Sequence, residues 1–392
     1  MTKKELKKDL LKENGIEIWP EDKIKAFRQT LLQWYDDNKR DLPWRQTSDP
    51  YHIWVSEIML QQTQVVTVIP YYNRFLETLP NIKDLAEASE ETIIKLWEGL
   101  GYYSRVRNMK ATAIQIMNDF NGVFPRNKKD ILTLKGIGPY TAGAISSIAF
   151  NQTEPAVDGN VMRVMSRLFE IDLDIGKASS RKVFEALIDR LIDPDRPGDF
   201  NQALMDLGAT ICTPKNYDPS ISPVKEFNAS FVNESWEQYP IKAAKKAARE
   251  EEYVAVAIQN KVGEYAFVKR PSKGVLAGMW TYIMIDAQHV LDSGWKSFKK
   301  KQMDSTDLMT RVEDVLLKEY GLQVSVNELP KGEVTHVFSH IKWKMTVCEA
   351  MLIKEKQTLA PIEWIHPSDY DQHAFPMPTQ KIQKLVSDIT LF

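Results

Sequence analysis

Apolar residues recur every three to four positions through the first part of the chain. Ile24, Phe27, Leu31, Trp34 and Tyr35 fall on one face of a helix over 24–35. The same period returns at about 52–62, 90–99, 102–119, 139–149, 157–170, 178–192 and 200–211. Glycine or proline punctuates many joints, as in "TLPNI", "GVFPRN" and "DPDRPGD". The pattern predicts an all-helical domain over 1–235. The charged, apolar-poor stretch "YPIKAAKKAAREEE" then reads as a linker, placed at 236–250. Beyond it the pattern alternates or turns β-rich: "YVAVAIQ", "EYAFVKR", "WTYIMID" and "KWKMTVCEAML" are predicted strands. One helix, around 305–319, sits among them, so 251–392 is expected to form an α+β domain.

The 392 residues suffice for two or three domains with a sizeable core. At 43% hydrophobic and 27% charged residues, the composition is that of an ordinary soluble chain. No apolar run is long enough to span a bilayer. The opening "MTKKELKKDLLKENG" lacks the apolar stretch of a secretory signal, so a cytoplasmic protein is expected. Two cysteines, Cys212 and Cys348, are too few for a disulfide framework. The net charge of −2 does not announce nucleic acid, though it leaves room for a local basic face.

Three segments carry candidate chemistry. In "LKGIGPYTAGAI", Gly136 and Gly138 precede a helix, and "RNKKDILTL" before them reads as a short helix. The unit at about 128–149 is thus a helix–hairpin–helix. Its exposed backbone N–H groups suit a DNA phosphate; a plain helix–helix turn is the other reading. In "AVDGNVMRVMSRLFE", Asp158 stands before an apolar-periodic helix, where an N-cap is the simplest role. In "WVSEIMLQQTQV", Glu57 lies among apolar neighbours. It either faces solvent or is buried with a raised pKa.

Taken together, "LPWR", "WVSEIMLQQTQV", "LWEGLGYYSRVRN", "LKGIGPYTAGAI", "VDGNVMRV" and "FNQALMDLGATIC", in this order over roughly 40–212, resemble the helix–hairpin–helix DNA glycosylases. The resemblance is narrowest to the adenine DNA glycosylase family (MutY). It implies a mainly α glycosylase domain of two helical subdomains. It also implies excision of adenine mispaired with 8-oxoguanine, and also with guanine, in duplex DNA, leaving an abasic site. The enzyme is expected to be a monomer associated with the nucleoid.

Breaking an adenine N-glycosidic bond requires protonating a poor leaving base and stabilising an oxocarbenium-like sugar. Two carboxyls in different environments meet both needs. Glu57 suits the acid, and Asp158, near helix N–H groups that favour its ionised form, suits the anion; the family gives these positions the same roles. Related glycosylases that also nick the strand carry a Schiff-base lysine where Tyr140 stands here. The resemblance therefore implies a monofunctional enzyme, with Tyr140 tuning the carboxyls or simply packing. Lys135 is assigned to the hairpin and not to a nucleophile. The resemblance further implies that Gln62 intercalates, Tyr102 stacks beside 8-oxoguanine, Trp44, Arg45 and Gln202 line the adenine pocket, and Asn160 lies beside the reacting sugar.

Most of the family holds a 4Fe–4S cluster after "DLGATIC" in a Cys-x6-Cys-x2-Cys-x5-Cys pattern. Here Cys212 keeps the first position, and Pro219, Ser222 and Asn228 stand at the others. One thiolate does not hold the cluster, so no cofactor is expected. Residues from about 250 resemble, more weakly, the family's MutT-like (Nudix-fold) domain. There Phe338, Ser339 and His340 in "THVFSHIKWKM" are the implied 8-oxoguanine readers; a structural turn is the alternative. "DLMTRVEDVLLKEYGL" lacks the glutamates of a Nudix metal helix, which disfavours pyrophosphate hydrolysis. A glycosylase/lyase for oxidised pyrimidines is disfavoured by Tyr140, and a lesion-binding module without catalysis by the presence of both carboxyls.

Overall fold

A computed structural model describes residues 9–244, 247–271, 273–290, 305–327, 330–356 and 361–387. The chain divides into two compact units, Met1–Ala88 with Ser104–Ala244 and Ser89–Tyr103 with Lys245–Phe392.

The first unit is helical, as the apolar period predicts. The helix Glu21–Asn38 buries Ile24, Phe27, Leu31, Leu32 and Tyr35, while Trp34 packs at the edge of the same core. The helices Gly159–Phe169, Ala178–Leu191 and Pro197–Thr210 close that core with Val161, Phe184, Phe200 and Leu204. Burying so many aliphatic and aromatic side chains together is what fixes the helices against one another. The helices Val65–Thr78 and Ile82–Glu87 escaped the sequence reading, as did the short Ala229–Val232. The first carries Pro70 in its interior, a residue that ordinarily ends a helix.

The hairpin forms between the four-residue helix Lys128–Ile131, capped by Asn127, and the helix Pro139–Phe150. Gly136 has φ +76°, and a Cβ there would stand 2.9 Å from the Asn108 side chain. Only glycine makes this turn without displacing its neighbour.

The second unit is built on one sheet of eight strands: β1 Arg249–Gln259, β2 Tyr265–Lys269, β3 Trp280–Thr281, β4 Ile283–Asp286, β5 Leu322–Val326, β6 Gly332–Val337, β7 Ile341–Glu355 and β8 Ile362–Ile365. The long central pair, β1 with β7, is parallel, from Arg249 opposite Ile341 to Gln259 opposite Met351. Alternation along β1 sends Val254, Val256 and Ile258 to one core and Ala255 and Ala257 to the other. The sheet is therefore buried on both faces, by helices Ser305–Val315 and Met377–Val386. Strand β1 begins inside the charged stretch expected to be linker, because its Glu250 pairs with Lys342 and Lys344 of β7.

Candidate active site

The helix Pro50–Leu60 starts at Asp49, whose side chain accepts from the Tyr51 N–H. It is apolar nearly all round, so Glu57 has no wet face to occupy and is 6% exposed. Of the two readings of Glu57, the buried one holds. Its Oε2 accepts from the Tyr140 hydroxyl at 2.6 Å. Burial pushes the Glu57 carboxyl up to about 7, with Asp158 adding to the rise and Tyr140 and Arg45 opposing it. The Tyr140 hydroxyl is driven well above its ordinary value by the same burial and by both carboxyls, so it stays a neutral donor.

Asp158 caps the helix Gly159–Phe169: Oδ1 accepts from the Val161 N–H at 2.7 Å and Oδ2 from Asn160 Nδ2 at 2.9 Å. Asn160 is oriented in turn by Arg163 Nη2, 2.9 Å from its Oδ1. The N-cap reading of Asp158 thus holds, and the same residue lines a cavity. Burial raises the Asp158 carboxyl above its ordinary value, against the pull of Val161, Arg163 and Asn160. The expected bias towards the ionised form is therefore present but outweighed by desolvation in the protein alone.

These groups share one cavity of about 570 Å³, a volume suited to a small organic ligand or base. Glu57, Tyr140, Asp158 and Asn160 line it together with Trp44, Arg45, Gln62, Gln202 and Gly138. Gly136 lies back in the hairpin and does not contribute to the wall. Gln62 holds φ +59°, a left-handed backbone that a non-glycine residue adopts only when its surroundings enforce it.

Tyr102, Phe338, Ser339 and His340 fall in the second unit and are not cavity residues. The turn between β6 and β7 exposes Ser339 and His340, while Phe338 packs edge-on against Trp343 at 4.8 Å. Tyr102, also at positive φ, +49°, shares a 2.6 Å hydrogen bond with Ser339 Oγ. The residues named for one reading role are thus brought together from distant parts of the sequence.

Three residues were missed. Asp206 binds Arg40 and Arg45 behind the cavity wall. Arg181 lines the cavity and bears on Tyr140. Gly208 lets the helix Pro197–Thr210 approach Asn160, since a Cβ there would meet the Asn160 Cβ at 2.7 Å. Only the acid within an otherwise apolar face, Asp206 in "ALMDLGA", leaves a trace in the sequence.

The loop after the last of these helices does not fit an iron–sulfur cluster. Cys212 Sγ accepts from Arg167 Nη1 at 3.2 Å, and Asn228 Nδ2 donates to the Tyr217 hydroxyl at 3.1 Å. Arg167 also lies over the Tyr217 ring, 4.2 Å from its centroid. Pro219, Ser222 and Asn228 are buried, and none of them is a thiolate ligand. Among the described residues of both units, no group of three or more His, Cys, Asp or Glu side chains is arranged to hold a metal ion. No helix among them is long and apolar enough to cross a membrane.

Residues 55–190 match the HhH-GPD superfamily of base excision DNA repair proteins, and residues 253–385 match the NUDIX domain. An adenine DNA glycosylase of Mus musculus is 33% identical over 419 aligned positions, covering 93% of this chain and 78% of its own length. An adenine DNA glycosylase of Homo sapiens is 36% identical, covering 81% of this chain and 66% of its own. One of Arabidopsis thaliana is 37% identical, covering 84% of this chain; the chain spans 58% of that relative's length.

Proposed function

The chain belongs to the adenine DNA glycosylase family, and from that premise we propose that it hydrolyses the N-glycosidic bond of adenine mispaired with 8-oxoguanine, and also with guanine, in duplex DNA. The observation that carries the reading is the pair of carboxyls on one cavity, Glu57 buried and Asp158 half-buried in its wall. Glu57 is poised near neutrality and protonates the leaving adenine. The Tyr140 hydroxyl bonds Oε2, which leaves Oε1 to carry the proton. Asp158, fixed by Val161 and Asn160, acts as the carboxylate that stabilises the sugar as it becomes cationic. As the C–N bond breaks, its electron pair leaves with the base. Water then adds to the sugar carbon and gives its proton to the Glu57 carboxylate, restoring the acid.

Tyr140, held in this site without an amine, supports a monofunctional reaction that leaves the phosphodiester intact. Gln62 fills the gap left by the extruded adenine. Tyr102 and the Phe338–His340 turn recognise 8-oxoguanine. The hairpin at Gly136 and Gly138 receives a phosphate. The protein works as a monomer on duplex DNA and carries no iron–sulfur cluster; the bonds from Arg167 to Cys212 and from Asn228 to the Tyr217 hydroxyl support this reading.

The test is single-turnover excision on a duplex with adenine opposite 8-oxoguanine, with and without alkali. Guanine opposite adenine and cytosine opposite 8-oxoguanine serve as comparison duplexes. Cleavage at the mispaired adenine only after alkali is the expected result. Cleavage without alkali, trapped by borohydride, would instead establish a lyase, and tight binding without excision a recognition module. Iron bound at cluster stoichiometry in the same preparation would overturn the clusterless assignment.

A further inference from the structure

Behind the cavity wall, one carboxylate holds two arginines. Asp206 lies on the helix Pro197–Thr210 with its side chain 2% exposed. Its Oδ2 accepts from Arg45 Nη1 at 2.7 Å, and its Oδ1 from Arg40 Nε at 3.0 Å. Arg45 is fixed on two further sides. Nη1 also donates to the Arg40 carbonyl at 3.1 Å, and the guanidinium carbon lies 5.5 Å from the Tyr35 ring centroid. Nε of Arg45 is buried with no hydrogen-bond partner among the described residues. A buried donor left open in this way costs free energy unless a ligand satisfies it. Arg45 and Glu57 line the same cavity, and the Arg45 charge favours the ionised form of Glu57.

We propose that Asp206 is a positioning residue of this site: it fixes the Arg45 guanidinium so that Nε–H remains a donor for the extruded base, and it balances the Arg45 charge so that Glu57 keeps its proton. The role for the base rests on the glycosylase reading; the effect on Glu57 does not. The other groups bearing on Glu57 are Tyr140 from the helix Pro139–Phe150 and Asp158 at the start of Gly159–Phe169. Arg181 acts on Tyr140 and Arg163 on Asp158. None of these bonds Arg45, so loss of Asp206 removes the carboxylate that, among the described residues, bonds the Arg45 guanidinium.

The sign follows. Removing a negative charge from behind Arg45 strengthens the field that favours the Glu57 carboxylate, so its pKa falls. The full-length chain is labelled with carbon-13 at the glutamate carboxyls, and the Glu57 resonance is identified by its loss in Glu57→Gln. Asp206→Asn is expected to lower the Glu57 midpoint by about one pH unit. Asp206→Glu, which keeps the charge, leaves the midpoint in place. The double variant Asp206→Asn, Arg45→Met removes both charges of the buried pair and returns the midpoint to the wild-type value or above it. It carries the test where Asp206→Asn alone does not fold.

The proposal is overturned by an unchanged midpoint in Asp206→Asn, or by a fall in the double variant. The pH profile of single-turnover excision must then shift by the same amount on its alkaline limb. Should the midpoint move while the wild-type protein processes no adenine duplex, the positioning of Glu57 stands and the glycosylase reading falls.

Discussion

In the proposed reaction Glu57 supplies the acid, and its burial carries a cost. Its folded carboxyl titrates near 7, against an ordinary value of 4.5. Between those values the folded protein binds a proton that the unfolded chain releases, so stability declines as pH rises through the window. Above about pH 7 the full penalty is present, on the order of 3 kcal/mol for a shift of this size. Glu57→Gln removes the titration and keeps an oxygen to accept from Tyr140. The variant should lose excision by about 100-fold or more, yet melt higher than wild type at pH 8 and nearly level with it at pH 4. Thermal melts at the two pH values and a single-turnover rate check this together. A variant that melts lower at pH 8, or that keeps its rate, would remove Glu57 from the acid role.

At the scale of elements, the site depends on how closely helices approach. Gly208 permits the helix Pro197–Thr210 to lie against Asn160, and Asn160 in turn bonds Asp158. Gly208→Ala forces the Asn160 turn outward. It should cost about 1–3 kcal/mol and slow excision by about 100-fold through displaced geometry, with the Glu57 midpoint unmoved. A rate equal to wild type would show that Asn160 does not need its present position.

This is also where legibility in the sequence ends. The period of Ile24, Phe27 and Leu31, and the alternation of Val254, Val256 and Ile258, were readable because burial repeats with the element's own geometry. Val65–Thr78 was not, because Pro70 interrupts a pattern that the surrounding structure nonetheless holds helical. Glu57 and Asp158 were found through motif order and residue type. Whether Glu57 was wet or dry depended on the helices around it, which no local pattern encodes. Arg181 and Gly208 act through residues distant in sequence, so nothing beside them in the chain marked their role, and Asp206 left only the trace of an acid in an apolar face.

The whole molecule divides at 244/245, inside the stretch where the period changes, but the second unit also takes in one segment from far upstream. The short segment Ser89–Tyr103, deep inside the helical part of the chain, belongs to the unit that carries the sheet. Its polar groups make the reason visible. Glu98 Oε1 accepts from the Phe375 N–H at 2.8 Å and from Gln380 Nε2 at 3.1 Å, and Lys95 donates to the His373 carbonyl at 2.8 Å. Tyr102 closes the same segment onto Ser339. The strand-rich unit therefore supplies partners that a glycosylase cut after residue 244 would lack. Such a cut removes the partners that Lys95 and Glu98 find at His373, Phe375 and Gln380, leaving their ion pair with each other, and removes the Ser339 bond of Tyr102. Hydrogen exchange should register this locally. Amides of 89–103 are expected to exchange at least about tenfold faster in the truncated chain, while those of the core helix Gly159–Phe169 keep their protection. Equal protection of 89–103 in the two chains would show that the segment is held by the helical unit alone. If the expected loss is seen, weaker discrimination of 8-oxoguanine in the truncated protein would reflect both the missing Ser339 turn and a released Tyr102. Restoring the separate 245–392 fragment would then have to recover the protection of 89–103 before it recovered recognition.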